Sequence, residues 1–334
     1  MNGCGRGNSH KCSCAAPFII FGEREINDMQ TAWGAGEHKN KQESLGRQKR
    51  RESVVGYSFI APSVILLLVF LVLPFLLAVL FSFTKFNLLR PDKIQFIGLD
   101  NYKLLFQDSL FYKSLFNTLY FTVIVVPVQS AVAFMLALLV NQQLKLRNVY
   151  RIAYFSPVVT SMTVIAILWI SLYNPNEGLI NSALNFFGIP KQPFLRSADQ
   201  AMHSIIFMSV WQAAGYQMMI FLAGLQGISK DIYEASSIDG ANRFQQLRFI
   251  TIPSLYNVTV FVLTITTIQA VKLFVQPYIM TNGGPENTTR TLALLIYQQG
   301  FQFRNAGYAS AISVIFFLIV VVISFSMKKF FRDK

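Results

Sequence analysis

Six stretches of this chain are apolar without the alternation of a half-buried strand or the single stripe of a soluble helix. They are Val54 to Thr84, Ser114 to Leu144, Ile152 to Asn176, Gln200 to Ser229, Phe249 to Met280 and Asn305 to Met327, and only Lys272 interrupts them with a charge. A hydrocarbon core about 30 Å thick needs roughly 20 helical residues at about 1.5 Å each, so every stretch can hold one span. The pattern predicts spans near residues 57–83, 115–140, 152–173, 202–224, 258–280 and 306–327. Pro62, Pro74, Pro127 and Pro157 fall within these stretches; membrane helices tolerate them because neighbouring groups re-satisfy the freed backbone. A transmembrane barrel would instead show alternating segments of about ten residues. The expected fold is an all-α integral membrane protein.

Composition agrees: 13% of the 334 residues are charged and 53% hydrophobic, against roughly 25% charged in soluble domains. Six spans put both termini on one side. The segments "RQKRRE", "NQQLKLRN", the loop with Arg243 and Arg248, and the tail "MKKFFRDK" carry about fourteen Lys and Arg, while the alternate loops carry about nine. By the positive-inside rule the termini are expected in the cytoplasm. The net charge of +13 then reflects topology and attraction to anionic membrane lipid, and requires no nucleic-acid partner.

Residues 1–50 are polar and aperiodic, and are expected to form a disordered cytoplasmic tail. "APFIIF" is too short for a secretory h-region, so the first span is expected to act as an uncleaved insertion signal. Cys4, Cys12 and Cys14 lie here beside His10, but their spacing lacks the paired C-x2-4-C of structural zinc sites, and no metal is expected. Met29 is a second candidate translation start that would remove every cysteine.

Catalytic chemistry is absent from the pattern. No phosphate-binding loop, H-E-x-x-H or G-x-S-x-G occurs, and the histidines are only His10, His38 and His203. A protein without enzymatic activity or cofactor is expected.

One polar segment between the fourth and fifth stretches, "YEASSIDGANRFQ" from Tyr233 to Gln245, carries local structure of its own. Ser229 can cap a helix whose first turns hold Asp231 and Glu234, where negative charge suits the dipole. Gly240 supplies a helix-ending positive φ, and Asn242 with Gln245 forms a capping-box start for a second helix. Pro253 then limits that helix and opens the next span. Ile232, Ala235 and Asp239 share roughly one face, with small side chains beside carboxylates. Such a helix suits either a groove on another protein or a bed of lipid headgroups.

"EASSIDGANRFQQLRFITIPSL" resembles the EAA motif of binding-protein-dependent ABC importer permeases, with Glu234, Ala235, Asp239, Gly240, Ala241, Ile252 and Pro253 matching and Ser236 replacing a usual alanine. "GLDNYKLLFQD", "FYKSLFNTLYFT", "YIMTNGGPENTT" and "GYASAISVIFFLIVV" are similar to further segments of carbohydrate permeases of the maltose, multiple-sugar and glycerol-3-phosphate type. The resemblance implies a type I ABC importer permease fold working with a second homologous permease subunit, a cytoplasmic ABC ATPase dimer and an extracytoplasmic solute-binding protein that delivers a sugar substrate. It implies residence in a bacterial or archaeal cell membrane, with residues 225–257 as the ATPase-coupling loop. There Glu234 would meet a basic group, Ala235 and Ser236 would allow close approach, and Gly240 would make the turn.

For the substrate path, Lys272 either lines a polar route with Gln269 and Gln276, about one turn to each side, or snorkels to the interface. Asn117, Gln129, Trp169, Asn174, Trp211, Gln212, Tyr216 and Gln217 are further polar or aromatic candidates, of which Asn117, Trp211 and Tyr216 join the path set. The small residues Ala213 to Gly215, Gly224 and Gly227 suit close helix packing. A stand-alone secondary transporter is the alternative, but it would be expected to carry intramembrane acids, and none of the six stretches holds Asp or Glu.

Overall fold

A computed structural model describes residues 53, 55–90, 92–142 and 146–332. The expectations for the amino-terminal tail, its cysteines and Met29 lie outside the described residues. The chain divides into two compact units, Met1–Leu73 and Pro74–Lys334, and helix α1 (Val55–Ser82) straddles their boundary. Within the first unit every side chain from Val64 to Leu71 is apolar and exposed, as suits a helix solvated by lipid.

In the second unit the end of α1 is closed by its own loop. Ribbon strands β1 (Thr84–Lys85) and β2 (Gln95–Phe96) pair antiparallel, a feature no pattern predicted, and α2 (Asp100–Gln107) follows. The buried Asn101 amide donates to Ser82 O at 2.8 Å and Thr84 O at 3.0 Å, serving carbonyls that a helix end leaves without partners. Tyr102 OH meets Ser82 Oγ at 2.8 Å. Asp108 then caps α3 (Ser109–Asn141) through Leu110 N.

The third predicted span, 152–173, is not one straight helix. It consists of α4 (Arg147–Val159) and α5 (Met162–Leu172), bent by 98°. Thr160 and Ser161 between them are extended, with ψ of 141° and 129°, and Pro157 in the last turn of α4 offers no N–H to hold the helix together. Among the described residues five helical stretches are thus long and apolar enough to cross a membrane, and six if this bent pair is one span. Helix α6 (Leu179–Phe186) lies in the connection to α7 (Ala198–Gln226). Next come two short helices, α8 (Lys230–Ile238) and α9 (Arg243–Gln246). The fifth span is itself interrupted at Lys272–Phe274, between α10 (Tyr256–Val271) and α11 (Val275–Met280). Helix α12 (Leu292–Tyr297) precedes the last span, in α13 (Ala306–Arg332).

Helix α7 is the hub: 67% of its spanning window is buried, against 33% or less for every other continuous span. It packs on α3, α4 and α10, and Ala213 to Gly215 supply the close approach expected of small residues. A Cβ on Gly215 would collide with the carbonyl oxygen of Tyr154. Gly215→Ala should therefore prise α4 from α7 and destabilise the protein by about 1–3 kcal/mol, as overpacking does, read as a lower melting temperature of the purified protein.

Candidate functional site

Two regions concentrate uncommitted chemistry. The first is the loop between α7 and α10. Ser229 Oγ accepts from Asp231 N at 3.2 Å to start α8, and Gly240, at φ +81°, ends it. The reciprocal capping box of Asn242 and Gln245 starts α9, with bonds of 2.9 and 2.8 Å. These local predictions appear as written in the sequence. A tertiary staple was not foreseen. Gln246 Nε2 donates to Ser236 Oγ at 3.0 Å and Ser237 Oγ at 2.9 Å, while Tyr233 OH meets Thr251 Oγ1 at 2.8 Å.

The staple sorts the predicted residues. Glu234, Ala235, Asp239 and Gly240 are exposed, Ser236 turns its hydroxyl inward and is half-buried with Ala241, and Pro253 sits in the short helical turn before α10. Ile238 is 87% exposed and Phe244 69%. The outer surface of the loop thus sets Ile238 and Phe244 among small residues, with carboxylates at Asp231, Glu234 and Asp239 and cations at Lys230 and Arg243, on a frame bonded from behind.

The second region is a cavity of about 340 Å³ inside the helical bundle. Its polar wall is built from Gln129, Gln212, Gln217, Gln269, Gln276, Ser209, Thr266 and Tyr216, over an apolar floor that includes Phe121, Val125 and Leu273. Among the described residues, no charged side chain lines it. Gln217 Nε2 donates to Thr266 Oγ1 at 3.2 Å, and Gln212 Nε2 donates to Pro157 O at 3.3 Å. Gln217 Oε1 and Ser209 Oγ are buried without a hydrogen-bond partner, and such groups call for a polar guest or water.

Of the six residues expected on the substrate path, Tyr216, Gln269 and Gln276 meet in this cavity. Lys272 does not line it and stands exposed at the end of α10. Trp211 packs against Trp169 at 5.4 Å and borders a separate hollow with Gly215. Asn117 is spent elsewhere: its amide donates to Asn287 O at 2.8 Å and Arg290 O at 2.9 Å, pinning the loop "NGGPENTTR" against α3. Burial in that loop lowers the pKa of Arg290, and the Asp108 carboxylate opposes the shift. Ser209 and Thr266 were missed because a lone hydroxyl in a span usually bonds its own helix, as Thr266 also does to Val262 O.

The family described as "Binding-protein-dependent transport system inner membrane component" matches residues 109–333. The chain belongs to this family. The probable ABC transporter permease protein YurN of Bacillus subtilis (strain 168) is 35% identical to this permease over 286 residues, which cover 84% of the chain and 97% of YurN. The arabinooligosaccharides transport system permease protein AraP of the same organism is 35% identical over 271 residues, 80% of this chain and 85% of AraP. The trehalose/maltose transport system permease protein MalF of Thermococcus litoralis is 32% identical over 288 residues, 85% of this chain and 97% of MalF. Among solved structures, a bacterial ABC transporter involved in the import of the acidic polysaccharide alginate superposes with a TM-score of 0.77 at 23% identity, covering 86% of this chain and 98% of that one. An alginate transporter in complex with an alginate pentasaccharide-bound periplasmic protein gives 0.73 at 22%, covering 83% and 93%. The fold of the permease is therefore that of a type I ABC importer.

The staple makes a local prediction. Gln246→Ala removes its bonds to Ser236, Ser237 and the Tyr233 carbonyl of α8, each worth about 0.5–1.5 kcal/mol, so backbone amides of residues 230–246 should exchange hydrogen for deuterium faster while those of α7 do not change.

Proposed function

We propose that this chain is the permease subunit of an ATP-driven importer that moves a sugar or oligosaccharide delivered by an extracytoplasmic binding protein. It works with a second homologous permease subunit and a cytoplasmic pair of ABC ATPase subunits, which hydrolyse the ATP. It lies in the cell membrane of a bacterium or archaeon with both termini cytoplasmic. The excess of Lys and Arg on the side of the α8–α9 loop supports that orientation, and relatives named for arabinooligosaccharides and trehalose/maltose support the cargo class.

The observation that carries the reading is the cavity wall. Five amides, two hydroxyls and a phenol, with no charge, present donors and acceptors beside an apolar floor. Sugars offer that combination of hydroxyls and apolar C–H faces. The alginate importers handle an acidic chain; the neutral wall here favours an uncharged sugar.

Coupling follows from the loop. Exposed Glu234, Ala235, Asp239 and Gly240 dock on the ATPase in helix-in-groove fashion, and Ser236, Ala241 and Pro253 hold the segment in shape behind them. ATP closes the ATPase pair, the docked α8 moves with it, and the spans rock between two states that open to opposite sides.

Two measurements test this. Glu234→Lys or Gly240→Asp should reduce uptake of radiolabelled sugar to background with the protein inserted at wild-type level; undiminished uptake refutes the coupling role. Gln212→Leu with Gln269→Leu should raise the sugar concentration needed to half-stimulate ATPase activity, in nanodiscs with the binding protein, by about tenfold, the expectation for two lost hydrogen bonds. An unchanged curve removes the cavity from the path.

A further inference from the structure

Helix α6 has one face too many for a soluble connection. Its inner side is fixed by Asn181, whose Nδ2 donates to Gln192 O and whose Oδ1 accepts from Gln192 N, both at 2.9 Å. Ile180 and Leu184 on that side share a groove with Tyr173, His203 and Phe207. The opposite side carries Leu179, Ala183 and Phe186, spaced four and three residues apart, with Phe187 beside them, and all four are exposed. Phe186 is 86% exposed and Phe187 76%. Ser182, the hydroxyl near this face, donates back to Gly178 O at 3.1 Å and leaves no donor unspent.

We propose that α6 lies flat in the membrane interface, in the leaflet away from the α8–α9 loop, with Leu179, Phe186 and Phe187 sunk among acyl chains. Ile180 and Leu184 stand level with His203 and Phe207, in the first three turns of the fourth span, and an amphipathic helix at that level seats its apolar face about 5–10 Å into the headgroup boundary. The face continues the lipid-facing surface of the protein, since Phe207 at the mouth of the same groove is 62% exposed. Residues 173–200 carry Glu177, Lys191, Arg196 and Asp199, two charges of each sign, so the contact is apolar and needs no anionic lipid. The seat would brace the turn after α5 where the bent third span has no long helix of its own.

The test uses the complete transporter, with Cys4, Cys12 and Cys14 replaced by Ser, in nanodiscs of zwitterionic phosphatidylcholine. Nitroxide labels are placed at Phe186→Cys and Phe187→Cys, and at Asn185→Cys as the polar flank, and their collision with oxygen and with a water-soluble nickel chelate is measured. Labels at 186 and 187 should meet oxygen several-fold more readily than the nickel chelate, the label at 185 should show the reverse, and adding anionic lipid should change neither. Free access of the chelate to 186 and 187 overturns the proposal in favour of water. Exclusion of both probes overturns it in favour of a neighbouring protein chain. If Phe186→Cys fails to assemble, Leu179→Cys on the same face is read in the same way.

Discussion

A backbone inside lipid must satisfy every N–H and C=O from within the protein, because the hydrocarbon offers no partner. Straight spans meet this demand by themselves, but this chain breaks or ends its helices several times, and at several of these places a polar side chain supplies bonds. Thr291 Oγ1 donates to Leu273 O at 2.7 Å where the fifth span is interrupted. Thr118 Oγ1 accepts from Leu292 N at 3.0 Å as α12 begins. Gln212 reaches Pro157 O beside the bend of the third span, and Asn117 holds two carbonyls of the loop after the fifth. Polar residues within the spans thus divide into those that repair the backbone and those left over. Among the groups left over, Gln217 Oε1 and Ser209 Oγ face one cavity, while Ser114 Oγ and Ser130 Oγ of α3 do not line it.

That division explains what could be read from the residues alone. Span positions were legible because apolarity over about 20 residues is a sum that no single contact alters. The caps at Ser229, Asn242 and Gly240 were legible because each depends on atoms within a few residues of it. The bend of the third span was not, since Pro157 is compatible with a straight or a broken membrane helix, and the deciding extended angles at Thr160 and Ser161 leave no compositional mark. The β1–β2 ribbon of two residues per strand is too short for any periodicity. Asn117 looked like a path residue and proved to be a clamp because its partners, Asn287 and Arg290, lie 170 and 173 residues away.

Lys272 shows the same limit within one span. A continuous helix puts residues 269, 272 and 276 on neighbouring positions of one face, which is why the three were grouped. In the structure α10 stops at Val271, and Phe274 takes φ −137° and ψ −56° before α11 resumes. The break leaves Gln269 and Gln276 on the cavity while the ammonium group stands outside it. An uncharged wall is thereby kept although the sequence places a cation in its midst.

The loop and the cavity are connected through two helices. Thr251, held by Tyr233 of α8, lies four residues before buried Leu255, and Leu255 and Val258 pack so closely on Gly224 of α7 that a Cβ there would meet their side chains at 2.8 and 2.9 Å. Farther along, the same two helices wall the cavity, α7 with Gln212, Tyr216 and Gln217 and α10 with Thr266 and Gln269. Gln217 donates a hydrogen bond to Thr266 across it. A bond of this kind contributes about 0.5–1.5 kcal/mol net. In the proposed coupling, a push on α8 would be passed by the stapled loop to the tight contact at one end of the α7–α10 pair. In the proposed function, the wall of neutral amides would exchange the Gln217–Thr266 bond for bonds to a hydroxylated guest.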